Sequence, residues 1–98
     1  MLMTQWNEDI ISVEGAGTLY GLFAARVWRT PDTVAYRSYD SHARIWQDTT
    51  WRDMGRAVER WRSALSVEGL APGDRVAIHS RNCKEWVMFD QAAMSLGL

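Results

Sequence analysis

Ala71-Pro72-Gly73-Asp74-Arg75-Val76-Ala77-Ile78-His79-Ser80-Arg81-Asn82-Cys83-Lys84-Glu85-Trp86 is the stretch that decides the fold class. Pro72-Gly73 dictates a turn, because proline presets one backbone angle and glycine supplies a positive one, and Asp74 closes that turn through its side chain. Asp74 to Ser80 then reads as a short strand, with Val76 and Ile78 on one side and Ala77 and His79 on the other. A strand with apolar or small residues on both sides belongs in a parallel sheet covered by helices. Asn82 is a natural N-cap for the next helix, in which Trp86, Phe89, Ala93 and Leu96 share a face that Val87, Ala92 and Met94 widen. Gly97 marks the end of this helix, and an adjacent parallel strand is expected next. The stretch therefore predicts half of a strand-helix-strand unit, as though the chain were a piece of a larger sheet.

Working back from this stretch, Thr50 with Asp53 three positions on makes a capping-box-like start for a second helix. Trp51, Met54, Val58, Trp61 and Leu65 recur at steps of three and four and predict a single core-facing stripe. Arg52, Asp53, Arg56, Glu59, Arg60 and Arg62 cover the other side, and Gly69 stands where a left-handed residue ends a helix. Val34 to Tyr39 and Ile45 to Thr50 are aromatic and β-branched runs around the loop 40–44, which predicts a β-hairpin without the Asn-Gly or Asp-Gly pair of a tight turn. Before it, Thr18 caps a helix with Leu19, Leu22, Phe23 and Val27 on one face, and Pro31 stops it. Residues 1–17 lack a clear period and read as an N-terminal arm, either packed through Trp6 and Ile10-Ile11 or left mobile. The expected fold class is thus α/β, with three helices, a β-hairpin and one buried strand of parallel type, in a single unit over 18–98.

Length and composition bound the function. A chain of 98 residues with 47% hydrophobic and 23% charged residues can build one modest domain. Net charge is −1, and the ten arginines and Lys84 are interleaved with twelve acids, so nothing argues for nucleic acid. Cys83 has no second cysteine for a disulfide or a metal-binding pair, which suits a reducing, cytoplasmic setting. It reads as a small packing residue rather than a reactive thiol. No secretory signal is visible, and no window reaches the roughly 18 apolar residues of a membrane span.

The order of these segments resembles the N-terminal segment of AMP-forming acyl-CoA synthetases, in the adenylate-forming superfamily. The likeness runs from about Thr18 to Leu98. It is carried most specifically by Gly73-Asp74-Arg75-Val76-Ala77-Ile78 and by Asn82-Cys83-Lys84-Glu85-Trp86, the latter similar to the long-chain fatty-acid-CoA ligase branch. Thr49-Thr50-Trp51-Arg52-Asp53-Met54 resembles the first core motif of the family, with Met54 where a larger residue is more usual. Lys84 also departs from the branch, which often has proline or alanine there. The resemblance implies a partial large-domain scaffold. In the full enzyme ATP, Mg and coenzyme A serve the formation of an acyl-adenylate and then an acyl-CoA.

That chemistry needs a glycine-rich phosphate loop, a carboxylate for the ribose and a lysine facing the acyl phosphate. Gly15-Ala16-Gly17 is too short for such a loop and has no strand before it. In the family the catalytic parts lie C-terminal to the matched segment, so no catalytic, cofactor-binding or metal-binding residue is assigned to this chain. His42 and His79 have no sequence-local partners that would make them catalytic. Two functions are expected to compete: the inactive N-terminal structural portion of a long-chain fatty-acid-CoA ligase, and a stand-alone non-catalytic interaction or dimerisation module. The expected partners derive from an open strand edge and an uncovered apolar helix: the rest of the parent synthetase or a second copy in a homo-oligomer. The parent is expected to be cytoplasmic, at most peripheral at a membrane.

Overall fold

The computed structural model describes residues 9–98. The elements are α1 (Val13–Ala16), α2 (Leu19–Arg29), β1 (Val34–Asp40), β2 (Ile45–Thr50), α3 (Trp51–Ser66) and α4 (Lys84–Ser95). Helices α2, α3 and α4 pack against one another, and the hairpin β1–β2 leans on the start of α3.

Local chemistry explains most boundaries. Thr18 caps α2 by accepting a hydrogen bond from the Gly21 amide at 2.9 Å. At the start of α3 the capping box is complete. Thr50 Oγ1 accepts from the Asp53 amide at 3.1 Å, and the Asp53 carboxylate accepts from the Thr50 amide at 3.2 Å. The Trp51 and Arg52 amides, orphans at any helix start, donate to the Thr33 and Pro31 carbonyls at 3.1 and 2.8 Å. The loop after the first long helix is thereby bolted to the entry of the next.

The hairpin forms where the sequence places it, antiparallel, with a bulge between Val34 and Tyr36. No Asn-Gly pair is needed, because the Asp40 carboxylate accepts from the His42 and Ala43 amides at 3.0 and 3.1 Å and Arg44 takes the left-handed conformation at φ 58°. Tyr39 and Trp46 pair directly across the strands, ring centroids 5.3 Å apart.

The core is Phe23, Met54, Ala57, Val58, Met88 and Ala92. A file of rings runs into it from both sides: Phe23 lies 6.0 Å from Trp51, which lies 6.1 Å from Tyr36. Three expected faces are corrected here. On α2, Phe23 is buried while Leu19 and Leu22 are exposed. On α3 the stripe holds at Met54 and Val58, with Trp51 and Leu65 packed against the core, but Trp61 is 39% exposed and stands edge-to-face with Phe89, centroids 5.3 Å apart. On α4 the buried residues are Met88, Ala92 and Ala93, whereas Trp86 is exposed. A helix apolar on nearly all sides has no polar face to fix its rotation, so contacts with α3 and α2 decide it.

Two boundaries also move. Cys83, not Asn82, is the N-cap of α4, and no side chain caps that end. Helix α3 stops at Ser66, and Gly69 supplies the positive φ of 76° in the turn beyond it.

The expected buried parallel strand is not formed. Residues 74–80 have no regular structure, are exposed and pair with no strand among the described residues. A strand exists by its ladder of hydrogen bonds, and the only sheet among the described residues is the hairpin. The described part of the arm is held rather than loose. Ser12 caps α1 from Gly15, Arg26 donates to the Asp9 carbonyl, and Arg29 donates to the Ile10 carbonyl at 3.1 Å. Trp6, the other residue expected to pack the arm, lies outside the described residues.

Candidate functional site

The segment 71–98 brings together the unpaired stretch 74–80 and the helix beside it. Its turn is built as the sequence indicates: the Asp74 carboxylate accepts from the Ala71 amide at 2.8 Å, and the Asp74 amide donates to the Ala71 carbonyl at 3.0 Å. Gly73, at φ 93°, donates its amide to the Gly97 carbonyl at 2.7 Å, which fastens this turn to the end of α4. Gly97 has to be small as well as left-handed, because a Cβ there would lie 3.0 Å from Pro72 Cβ.

Beyond the turn the chain runs past α4 and leaves a shallow groove floored by Phe89, Ala93 and Met94 and edged by Val76 and Ile78. Val76 and Ile78 are 37% and 38% exposed. The result is a row of backbone donors and acceptors next to an apolar helix face, which is how a sheet receives a further strand.

A second cleft, of about 750 Å³, lies between the hairpin and the start of α4, lined in part by Tyr36, Asp40, Arg81, Cys83 and Lys84. Asn82 lines it too; His42 and His79 do not. Lys84 does not face this cleft as a free cation, since its Nζ donates to Oγ1 of the buried Thr49 at 3.1 Å. In the sequence Lys84 stands out only as a departure from the branch, and this tether between α4 and β2 is missed. No sequence signal marks it, because the partners are 35 positions apart.

The electrostatics are those of surface pairs. The Arg37 guanidinium, donating at 2.7 Å to Asp48, holds that carboxyl below its usual range. The Thr50 amide, and after it the Thr50 hydroxyl, do the same for the Asp53 carboxyl. Arg52 pairs with Asp32 at 2.8 Å and Arg62 with Glu59 at 2.9 Å.

The Gly15-Ala16-Gly17 turn has no amide free to cradle a phosphate. The amides of Gly15, Ala16, Gly17 and Thr18 all donate within the α1 turn, to Ser12 Oγ and to the carbonyls of Ser12, Val13 and Ala16, so no amide there points at a ligand. Among the described residues no three His, Cys, Asp or Glu side chains gather as a metal site. Nor is any helix among them long and apolar enough to cross a membrane.

A protein described as probable CoA ligase CCL6, from Humulus lupulus, is 29% identical over 85 residues, which cover 84% of this chain and 13% of that protein. The chain thus spans roughly an eighth of that relative's length. No solved structure matches the chain significantly. The pattern of the AMP-binding enzyme family matches residues 23–98, from the buried Phe23 through the whole of α4. The chain belongs to the family of AMP-binding enzymes.

Proposed function

We propose that this chain is the N-terminal scaffold of the large domain of an acyl-CoA ligase, residues 18–98 being the scaffold and 1–17 an arm that precedes it. In the whole enzyme a carboxylic acid, by our reading a long-chain fatty acid, reacts with Mg-ATP to an acyl-adenylate. The acyl group then passes to the thiol of coenzyme A. The chain itself contributes packing and supplies no reacting group. The observation that carries this reading is the unpaired segment 74–80 beside the apolar groove on α4, fastened in place at Gly73 and Gly97. It offers a slot for a strand and an apolar face for the elements attached to that strand. The partner is accordingly the remainder of the synthetase, in the cytoplasm, with a second copy of the chain as the competing occupant of the same edge.

The test is a chimera in which this chain replaces the matched 85-residue segment of the Humulus lupulus relative, assayed by acid-dependent ATP-pyrophosphate exchange. Exchange retained in the chimera, and none from the chain alone, supports the scaffold. Exchange by the chain alone, or a folded chimera that has lost activity, overturns it. A stand-alone interaction module predicts the second of these outcomes together with a stable dimer of the isolated chain.

A further inference from the structure

Helices α2 and α3 approach closely because Gly55 has no side chain; a Cβ there would come within 2.9 Å of Val27 Cγ1. On their outer side they leave an open groove of about 760 Å³, floored by Phe23, Val27 and Val58 and walled on the α2 side by Trp28. Trp28 is 86% exposed, so one of the largest apolar side chains in the protein stands uncovered at the edge of an apolar floor. The opposite wall carries Arg52, Arg56 and Arg60 at successive turns of α3. Of the charged groups lining the groove, Arg52 is taken by Asp32 and Glu59 by Arg62. Arg56 and Arg60 enter no ion pair among the described residues, though the Asp53 carboxylate, held in the capping box, also attracts Arg56. With three arginines against Glu59, the rim carries more positive than negative charge beside an apolar floor.

We propose that this groove docks an acidic amphipathic helix of another protein. Charge complementarity sets the sign of the partner, and geometry sets its form. Arg56 and Arg60 are one turn apart, roughly 6 Å along the axis. Carboxylates at i and i+4 of an incoming helix have the same spacing. Its apolar stripe would cover Trp28 and Val27, in the helix-in-groove manner, and tryptophan and arginine are the side chains that most often anchor interfaces. A lipid surface is less suited, because most of the apolar atoms here lie in a concavity between two helices instead of projecting from it. The groove shares no lining residue with the 74–80 edge, so a helix docked here leaves that edge open.

The probe is a synthetic, dye-labelled helical peptide with glutamates at every fourth position and leucines on the adjoining face, titrated by anisotropy against the full chain. Its lysine-for-glutamate counterpart is the control. Saturable binding of the glutamate peptide is expected, weakened about tenfold or more both by Arg56→Glu with Arg60→Glu and by Trp28→Ala. Trp46→Ala, on the hairpin, should leave it unchanged. All these side chains are exposed, and circular dichroism checks that each variant folds. Absence of binding, equal binding of the lysine peptide, or indifference to the groove variants overturns the proposal. Binding to phosphatidylglycerol vesicles in place of the peptide also overturns it, in favour of a membrane. Self-association that the groove variants abolish overturns it in favour of a second copy.

Discussion

Arg44 closes the hairpin loop at φ 58°, a region that costs a side-chain-bearing residue about 1–2 kcal/mol and glycine almost nothing. Arg44→Gly should therefore stabilise the protein, by about 0.5–1 kcal/mol once the extra freedom of glycine in the unfolded chain is subtracted. Denaturant melts of the two proteins measure this, and an unchanged or lower midpoint would refute it. Asp53 and Asp48 act at the same scale but through pH. Both carboxyls are held below their usual range, Asp53 chiefly by the Thr50 amide and Asp48 chiefly by Arg37. Folded values below unfolded ones mean that the unfolded state takes up protons first. The stabilisation is then full above the unfolded value of about 3.9 and is lost as pH falls through the lower folded values. Asp53→Asn, which keeps the shape of the cap, should flatten the acid limb of a stability-pH curve; a limb as steep as that of the parent would show that the capping carboxylate carries no linkage.

At the scale of the element, α3 is the helix on which the core depends. Met54 is fully buried and Trp61 only half covered, so the smaller side chain should matter more. Met54→Ala should cost about 2–5 kcal/mol. Trp61→Ala should cost closer to 1–2 kcal/mol, the value of one partly buried edge-to-face contact. Urea titration of both decides it, and a larger loss at Trp61 would reverse the ranking.

The same helix shows what a sequence makes legible. Thr50 and Asp53 announce the cap because every partner lies within four residues, and the hairpin is equally local. Helix α4 hides its orientation because nearly every side of it is apolar, so Met88 and Ala92 cannot be told from Trp86 without knowing what packs there. The Lys84–Thr49 bond and the arginine-rimmed groove are hidden for a related reason, since their members are brought together only by the fold. Val76 and Ile78 have the composition of a buried strand, and that composition describes a destination. With no partner strand among the described residues, the same amino acids stay unpaired and partly exposed.

Across the whole molecule, apolar surface outruns the core available to cover it. Among the described residues fifteen large apolar side chains stand exposed, against Phe23, Met54, Val58 and Met88 as the large buried ones. Val76, Ile78 and Trp86 at one end and Trp28 on the far side of α2 are among the exposed. Patches of this kind belong to surfaces that meet something else. The two surfaces differ in kind. The 74–80 edge presents backbone groups and suits a strand, while the α2–α3 groove presents side chains and suits a helix.

The clasp between Gly73 and Gly97 adds a kinetic consequence. It closes a loop of the chain at the base of the free strand, so the entropy of holding that strand alongside α4 is settled before any neighbour arrives. An incoming segment then meets a rigid template instead of a wandering tail, and the penalty for ordering falls mainly on the newcomer. Weakening that single amide contact, by crowding Pro72 with a side chain at Gly97, would return the penalty to this side of any junction formed there.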